Sequence, residues 1–257
     1  MSAPAITPDV AATVPVLQLR GVRKRFGGIV ATNQVTLNLQ PGARHALIGP
    51  NGAGKTTLIN LLTGVLQPTQ GRITLLGEDI TQLAPHQRVN RGLVRTFQIT
   101  QPFAGISVRE NIMVGAYFRT ADRRLASREA ETVAAMVGMA DQLDRRGADL
   151  TVAGRKRLEL ARALATGPRL LLLDEVMAGL NPTEIVEIVG VIKDIRAAGV
   201  TILLIEHVMQ AVTSLAERVY VLNQGRMIAE GTPAAIAEDP QVIEAYLGHG
   251  AAKVLRA

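Results

Sequence analysis

The chain of 257 residues contains no cysteine and no tryptophan. The absence of cysteine excludes a disulfide framework, a thiolate nucleophile and any metal site with cysteine ligands, and it fits a reducing cytoplasm. No apolar run approaches the roughly 18 to 20 residues that a membrane-spanning helix needs. The first cation is Arg20, so residues 1–15, which contain three prolines, are predicted to be a flexible tail rather than a secretory signal.

The composition is that of an ordinary globular protein, with 47% hydrophobic and 19% charged residues. The 28 lysine and arginine residues exceed the 22 acidic residues, which gives a formal net charge of +6. A surplus this small fits nucleic acid, an anionic membrane surface or no charged partner at all. Charge alone therefore leaves the class of protein open.

Short runs rich in valine, isoleucine and leucine alternate along the chain with amphipathic helical patterns. This alternation predicts an α/β fold with a mainly parallel core sheet. The predicted strands are residues 16–20, 35–40, 43–49, 72–77, 169–175, 200–206 and 218–223.

Three helices are predicted from periodicity and capping residues. One apolar stripe at helical spacing spans residues 58–66. Asn181 is expected to cap a second helix, which ends near Gly199. A third helix is predicted from a cap at Thr151 through Leu164.

Residues 99–149 have few strand signals and show helical periodicity. We therefore expect a helical subdomain at about residues 86–165. It would be inserted into an α/β core formed by residues 16–85 and 166–250, and residues 251–257 would be a C-terminal tail.

The stretch GPNGAGKTT matches the phosphate-binding pattern G-x-x-x-x-G-K-[ST]. Its glycines let backbone N–H groups close around phosphate oxygens, and the helix that follows presents its positive N-terminus to the anion. Lys55 is expected to reach the β- and γ-phosphates of a nucleotide, and the Thr56 hydroxyl to bind Mg²⁺. The residues predicted to bind nucleotide are Gly49, Pro50, Asn51, Gly52, Ala53, Gly54, Lys55, Thr56 and Thr57.

Two acidic residues, Asp174 and Glu175, follow four leucines at the end of the strand at 169–175. Ligands of open α/β sheets bind at the carboxyl ends of strands, so both acids are well placed to meet the phosphates. Asp174 is predicted to hold Mg²⁺, mostly through water, and Glu175 to orient or deprotonate the attacking water. His207 directly follows the strand at 200–206 and is predicted to stabilise or sense charge at the γ-phosphate.

The stretch LTVAGRKRLELARAL, residues 150–164, has two possible interpretations. Its three consecutive cations at 155–157 suit a basic patch for nucleic acid, whereas its glycine and helix-forming tail suit half of a phosphate site whose other half lies elsewhere. The chain lacks the N-K-x-D pattern that reads guanine, which disfavours a GTPase. The separation of Lys55 from Asp174 is long for a small-molecule kinase.

Taken together, the motifs resemble the ATP-binding subunit of an ABC transporter. They follow that family's order, with GPNGAGKTT, RTFQ (95–98), LTVAGRKRLELARAL, LLLLDE, AGLN (178–181) and EH (206–207). The resemblance covers residues 16–247. It implies an ABC ATPase fold over residues 16–250, with an antiparallel β part near the N-terminus, and it implies ATP hydrolysis with ATP and Mg²⁺ as cofactors.

The resemblance also implies roles for single residues. Phe26 would stack on adenine, although the alternative is a core residue at the end of a strand. Gln98 would lie between Mg²⁺, the attacking water and the helical subdomain, and AGLN would cross a dimer interface. The implied catalytic residues are Glu175, His207 and Gln98, and the implied Mg²⁺ ligands are Thr56, Gln98 and Asp174.

In this family the stretch that begins at Leu150 opens a helix that caps the γ-phosphate bound to the opposite subunit. The usual pattern is L-S-G-G-Q. Here Thr151 keeps the hydroxyl, Val152 and Ala153 replace glycines, and Gly154 stands where glutamine is usual. The helix N-terminus still offers N–H groups and a positive dipole end, so these five residues are expected to contact the partner's ATP.

A finer resemblance is to the ATP-binding subunits of branched-chain amino-acid importers. KRFGGIVA, RTFQ, AGLNPTE, LLIEH and the ending NQGRMIAEGTPAAIAEDPQVIEAYLG carry it. It implies a motor subunit at the cytoplasmic face of the membrane, which pairs with a second ABC ATPase subunit in a homodimer or heterodimer. It also implies integral membrane permease subunits and, indirectly, a substrate-binding protein. The subunits for urea or short-amide import and for lipopolysaccharide export are similar, so the substrate rests on resemblance alone.

Two other functions compete with this one. A nucleic-acid-linked ATPase of the same superfamily needs long coiled-coil arms or added DNA-binding domains, and the interval from Gln98 to Leu150 is too short for them, so no nucleic-acid partner is expected. A non-hydrolysing structural subunit would explain the altered signature. Against it, the residues expected to hydrolyse ATP are all present.

Overall fold

A computed structural model describes residues 14–96, 102–206 and 209–247 of the protein. The strands are β1 (Leu17–Phe26), β2 (Ile29–Leu39), β3 (Arg44–Ile48), β4 (Gln70–Leu75), β5 (Glu78–Asp79), β6 (Leu93–Arg95), β7 (Leu170–Asp174), β8 (Thr201–Ile205), β9 (Arg218–Asn223) and β10 (Arg226–Gly231). The helices are α1 (Lys55–Thr63), α2 (Pro85–Asn90), α3 (Val108–Ala116), α4 (Arg123–Met136), α5 (Val152–Leu164), α6 (Pro182–Ala197), α7 (Met209–Leu215), α8 (Pro233–Glu238) and α9 (Pro240–Leu247).

The strands form two sheets. The core sheet has the order β10-β9-β3-β8-β7-β6, and only the β9–β10 pair in it is antiparallel. A strand of such a sheet is buried on both faces and reads as a continuous apolar run. In β7, Leu170 and Leu172 join one hydrophobic cluster, and Leu171 and Leu173 join the other. The predicted α/β fold with a mainly parallel core sheet is therefore confirmed.

The second sheet is antiparallel, in the order β2-β1-β4-β5. Its strands β1 and β2 extend beyond the predicted 16–20 and 35–40, because their outer halves pair across a tight turn from Phe26 to Ile29. Charged, partly exposed residues fill the outer half of β1, so alternation did not reveal it. This sheet is the antiparallel β part that the resemblance implied.

Three short strands, β5, β6 and β10, were not predicted. β6 falls inside the stretch assigned to a helical insertion, yet it pairs in parallel with β7 and belongs to the core sheet. A three-residue strand has too little pattern to detect, because pairing with its neighbour decides its conformation. The turn before β10 did carry a sequence signal, the glycine of Gln224-Gly225. Both residues have positive φ, as a tight hairpin turn requires.

The capping predictions are confirmed. Asn181 and Glu184 form a reciprocal capping box at the start of α6. The Thr151 hydroxyl accepts from the Gly154 N–H at the start of α5. The helix α1 ends at Gly64, whose φ of 80° suits glycine at the end of a helix.

Helices α3, α4 and α5 pack on one another, within the part of the chain predicted to be a helical subdomain. Helices α3 and α5 approach closely at Gly115, where a Cβ would lie 2.3 Å from the carbonyl oxygen of Arg162. No helix among the described residues combines the length and apolar character that crossing a bilayer requires. The exact division into core and subdomain stays a prediction.

A buried arginine anchors the C-terminal end of α1. The Arg88 side chain is fully buried and donates to the carbonyl oxygens of Leu61 and Leu62, at 2.6 and 2.8 Å. It also donates to Leu83 and Thr81, at 3.0 Å each. Burial lowers its pKa to about 10, so it stays a cation at neutral pH. A guanidinium at this place satisfies the last carbonyls of the helix and favours the negative end of its dipole.

We predict that Arg88→Met lowers the free energy of unfolding by about 3 kcal/mol or more, because four carbonyls lose their hydrogen bond to the buried guanidinium. Urea unfolding followed by circular dichroism measures the loss. The matched control is Arg91→Met on the neighbouring turn, whose side chain forms an exposed ion pair with Glu78. Equal losses in the two variants would contradict the anchoring role.

Candidate nucleotide-binding site

The glycine-rich loop lies between β3 and α1 and packs closely on the strands beneath it. A Cβ at Gly49 would lie 2.1 Å from the Leu222 carbonyl oxygen, and one at Gly54 would lie 2.6 Å from the Ala31 carbonyl oxygen. The Ala53 carbonyl accepts a hydrogen bond of 2.8 Å from the Gly225 N–H. The glycines of this loop therefore permit a backbone approach that side chains would block.

The N-terminus of α1 is open to a ligand. Gly54 stands at the N-cap position, and among the described residues no side chain caps the helix. The first turn holds no acidic residue either. Its N–H groups and the positive end of the dipole therefore face the loop without a side-chain acceptor, which suits an anion. Around them, Asn51, Gly52 and Thr56 are exposed, Ala53 is buried, and Pro50 and Thr57 are half-buried.

Lys55 folds back on its own loop. Its ammonium group donates to the carbonyl oxygens of Gly49 and Pro50, at 2.6 and 3.1 Å. Burial lowers the pKa of Lys55, and the charges of Glu175 and Asp174 partly oppose that change. The lysine and the two acids, which the sequence separates widely, therefore lie within electrostatic reach of one another.

The two acids stand at the carboxyl end of β7, as predicted. Asp174 is 7% exposed, and its Oδ2 atom accepts a 2.7 Å hydrogen bond from the Arg95 guanidinium. Glu175 adopts a left-handed backbone conformation, with a φ of 49°, and its N–H donates to the Ile205 carbonyl. A non-glycine residue held in that region costs about 1 kcal/mol or more, and such strain is common at functional sites.

The Thr56 hydroxyl and the Asp174 carboxylate are oxygen donors of the kind that Mg²⁺ prefers. Among the described residues there is no cluster of three or more histidine, cysteine, aspartate or glutamate residues able to hold a metal. Magnesium at nucleotide sites is bound by one or two carboxylates together with phosphates, so this donor set fits the ion.

The predicted signature residues lie at the N-terminus of α5. Leu150, which directly precedes the N-cap residue, is buried, while Thr151 and Val152 are exposed. Ala153 and Gly154 are buried in the first turn. A Cβ at Gly154 would make ordinary contacts of 3.4 Å, so packing within the chain does not require glycine there.

The three cations of this stretch all have partners within the chain. Arg155 donates to the Leu150 carbonyl at 3.1 Å, and Arg157 pairs with Glu187 on α6. Lys156 is buried and donates to the Glu175 carbonyl at 3.4 Å. The contact of Lys156 joins the signature helix to the end of β7.

Phe26 ends β1 and is 46% exposed, with the Lys24 ammonium 5.2 Å from the centre of its ring. The alternative of a buried core residue is therefore wrong, and the ring face stays a candidate for stacking. Gln98 and His207 lie outside the described residues. The last described residue before each of them is buried: the Thr96 hydroxyl accepts from the Asp174 N–H, and the Glu206 carboxylate accepts from the Met177 N–H.

Several residues near this site were not predicted from the sequence. Arg95 and Lys156 were noted only as members of motifs. No local pattern predicts that Arg95 contacts Asp174 or that Lys156 contacts the Glu175 carbonyl. Tyr246 on α9 is another. Burial raises the pKa of its phenol, and a hydrogen bond with the Gly49 backbone partly opposes the shift. Such contacts between distant parts of the chain require the fold to be known.

The glycine-rich loop, its lysine and the acids at the neighbouring strand end define a P-loop nucleotide-binding protein. The chain belongs to the ABC transporter family, whose sequence model matches residues 32–178, and it is an ATPase of that family. A second model, of the branched-chain amino acid ATP-binding cassette transporters, matches residues 226–252.

Individual relatives agree with this assignment. The chain is 41% identical over 250 residues to the high-affinity branched-chain amino acid transport ATP-binding protein BraF of Pseudomonas aeruginosa, across 91% of this chain and 98% of that protein. The corresponding protein LivG of Escherichia coli K12 has the same identity and coverage. Among solved structures, the ADP conformation of an ATP-binding cassette of an ABC transporter is similar, with a TM-score of 0.84 and 31% identity. That match covers 92% of this chain and 100% of the solved chain.

We predict that Gly54→Ala destabilises the protein more than Gly52→Ala does. Both glycines have positive φ, so alanine costs about 1 kcal/mol or more at either position. Only at Gly54 would the new methyl group also collide with a carbonyl, since nothing lies within 4 Å at Gly52. Thermal unfolding without nucleotide compares the two variants. Equal losses would mean that the loop is not packed as closely as described.

Proposed function

We propose that the chain is the ATP-hydrolysing motor subunit of an importer for branched-chain or similar amino acids. It would pair with a second ABC ATPase subunit and act on integral membrane permease subunits at the cytoplasmic face of the membrane, with a substrate-binding protein as an indirect partner. The observation that carries the proposal is the topology: β3 and β7 run parallel on either side of β8, so the loop that holds Lys55 and the acids Asp174 and Glu175 lie at the same edge of the core sheet. The amino-acid substrate is supported by the match of residues 226–252 and by the names of BraF and LivG.

ATP binding would begin at the loop. The N–H groups at the N-terminus of α1 receive the phosphates, and the Lys55 ammonium exchanges the Gly49 and Pro50 carbonyls for β- and γ-phosphate oxygens. Burial disfavours the charged form of this lysine, and the negative charge of bound phosphates would stabilise that form. Phe26 offers an exposed ring for the adenine.

Hydrolysis would use the acids at the end of β7. Thr56 and Asp174 would hold Mg²⁺, Asp174 mostly through water, and the ion would supply positive charge against the charge that develops on the phosphates during transfer. Glu175 orients or deprotonates the attacking water, and we assign Gln98 and His207 to the same reaction. Coupling follows from ATP closing a head-to-tail dimer and hydrolysis reopening it.

The signature residues 150–154 would cap the ATP of the partner. Thr151 uses its hydroxyl oxygen to accept from Gly154, and that bond leaves the hydroxyl hydrogen able to donate outward. Val152, 55% exposed at the helix start, adds a branched side chain where the family usually has glycine. On the same helix, Lys156 donates to the Glu175 backbone carbonyl. The signature residues, which would complete the partner's site, are therefore joined to the acids of the subunit's own site.

Two alternatives share this fold. One is an ABC ATPase for another substrate, such as urea, a short amide or lipopolysaccharide, since the ATP-binding subunit does not touch the cargo. The other is a nucleotide-binding subunit with weak hydrolysis in a heterodimer, which the altered signature favours.

We predict that Mg²⁺-dependent ATP hydrolysis by the purified chain rises faster than linearly with protein concentration, because two chains form each site. Glu175→Gln should lower the rate about a hundredfold or more, since it removes a general base without changing size. Glu238→Gln, at an exposed position on α8, is the matched control and should keep the rate.

The same assay separates the alternatives. ATP binding without turnover, restored only by adding a second ABC ATPase subunit, would replace the homodimer by an obligate heterodimer. Absence of turnover with any partner would refute the hydrolytic function proposed for this chain.

A further inference from the structure

Arg95 makes a partly buried bridge between two elements of the phosphate site. Its guanidinium donates to Asp174 Oδ2 at 2.7 Å and to Asn60 Oδ1 at 2.8 Å. The Arg95 and Asp174 side chains are 15% and 9% exposed, so water competes little for this bond. Both contacts use the planar fork of an arginine, which can reach two acceptors at once.

The second contact reaches the helix that begins at the phosphate loop. Asn60 lies four residues after Thr56 on α1, so the two side chains share one face of the helix, a single turn apart. Arg95 is the last residue of β6, and it lies opposite Leu172 of β7 in the parallel pairing of the two strands. One guanidinium therefore connects β7, which carries Asp174, to the helix that carries Thr56.

We propose that Arg95 is the positioning residue of the magnesium site, holding the Asp174 carboxylate at a fixed place relative to Thr56. The inference rests on the roles proposed above for Asp174 and Thr56. An ionised carboxylate has two oxygens and about four acceptor positions, so the bond from Arg95 leaves capacity for a water bound to the ion. Hydrogen bonds to metal-binding carboxylates orient them, and their loss costs about 10- to 100-fold in metal affinity.

The test measures binding of a fluorescent ATP analogue to the full chain, with EDTA and with Mg²⁺. In the unchanged protein, Mg²⁺ should tighten binding. In Arg95→Gln, that gain should fall about tenfold, while the affinity in EDTA stays the same because the phosphate loop is intact. Arg95→Lys should recover part of the gain, since a point charge can pair with Asp174 but cannot bridge to Asn60 as well.

Arg91→Gln is the matched control, because this arginine four residues away pairs with Glu78 at the surface. It should leave both affinities unchanged. Asn60→Ala is a second variant in case Arg95→Gln does not fold. It keeps the Arg95–Asp174 ion pair and removes only the tie to α1, so it should lower the Mg²⁺ gain by less than Arg95→Gln.

Three outcomes would overturn the inference alone. An unchanged Mg²⁺ gain in Arg95→Gln would mean that Asp174 is positioned without the bridge. A larger gain would mean that Arg95 competes with the ion for the carboxylate. Equal weakening in EDTA and in Mg²⁺ would mean a general structural role. If Mg²⁺ does not tighten binding to the unchanged protein, the proposed magnesium site itself fails.

Discussion

The close packing of the phosphate loop on the strands beneath it is the constraint on which the site depends. Gly49 meets the backbone of Leu222, Gly54 meets that of Ala31, and Gly225 donates to Ala53. These contacts hold the loop between β2 of the antiparallel sheet and the β9–β10 hairpin of the core sheet. The loop therefore sits where the two sheets meet, and the start of α1 is fixed by backbone contacts that leave its N–H groups for a ligand.

The rest of α1 is held by two arginines, one buried and one partly buried. Arg88 satisfies the carbonyls at its C-terminal end, and Arg95 ties its middle, through Asn60, to Asp174. The N-terminal end receives no side-chain cap among the described residues. Because all three parts of the helix are held while the N–H groups of its first turn have no side-chain acceptor, a ligand can bind there without a large rearrangement of the core.

Local patterns predicted much of this fold. The signals were local in sequence: four consecutive leucines predicted β7, and the capping residues Asn181 and Thr151 predicted the starts of α6 and α5. The strand β6 could not be predicted in that way, since it depends on a neighbour distant in sequence, whereas β10 was missed although the turn before it carried a local signal. The glycine-rich loop and its acids were likewise readable as motifs, because phosphate chemistry demands particular residue types at particular spacings.

The sequence did not reveal which residues the charged side chains of these motifs contact. RTFQ and the signature stretch resemble family motifs, but the bond from Arg95 to Asp174 and that from Lys156 to Glu175 join β6 and α5 to β7. Contacts of this kind depend on strand order and helix packing. They also show that two cations of the basic signature stretch are engaged within the chain, Lys156 with the Glu175 carbonyl and Arg157 with Glu187.

A crystal structure of the chain with Mg²⁺ and a non-hydrolysable ATP analogue tests the central claim most directly. The account predicts phosphates at the N-terminus of α1, with the Lys55 ammonium moved from the Gly49 and Pro50 carbonyls onto phosphate oxygens. A nucleotide bound elsewhere, or a Lys55 still held by both carbonyls beside the bound phosphates, would contradict it.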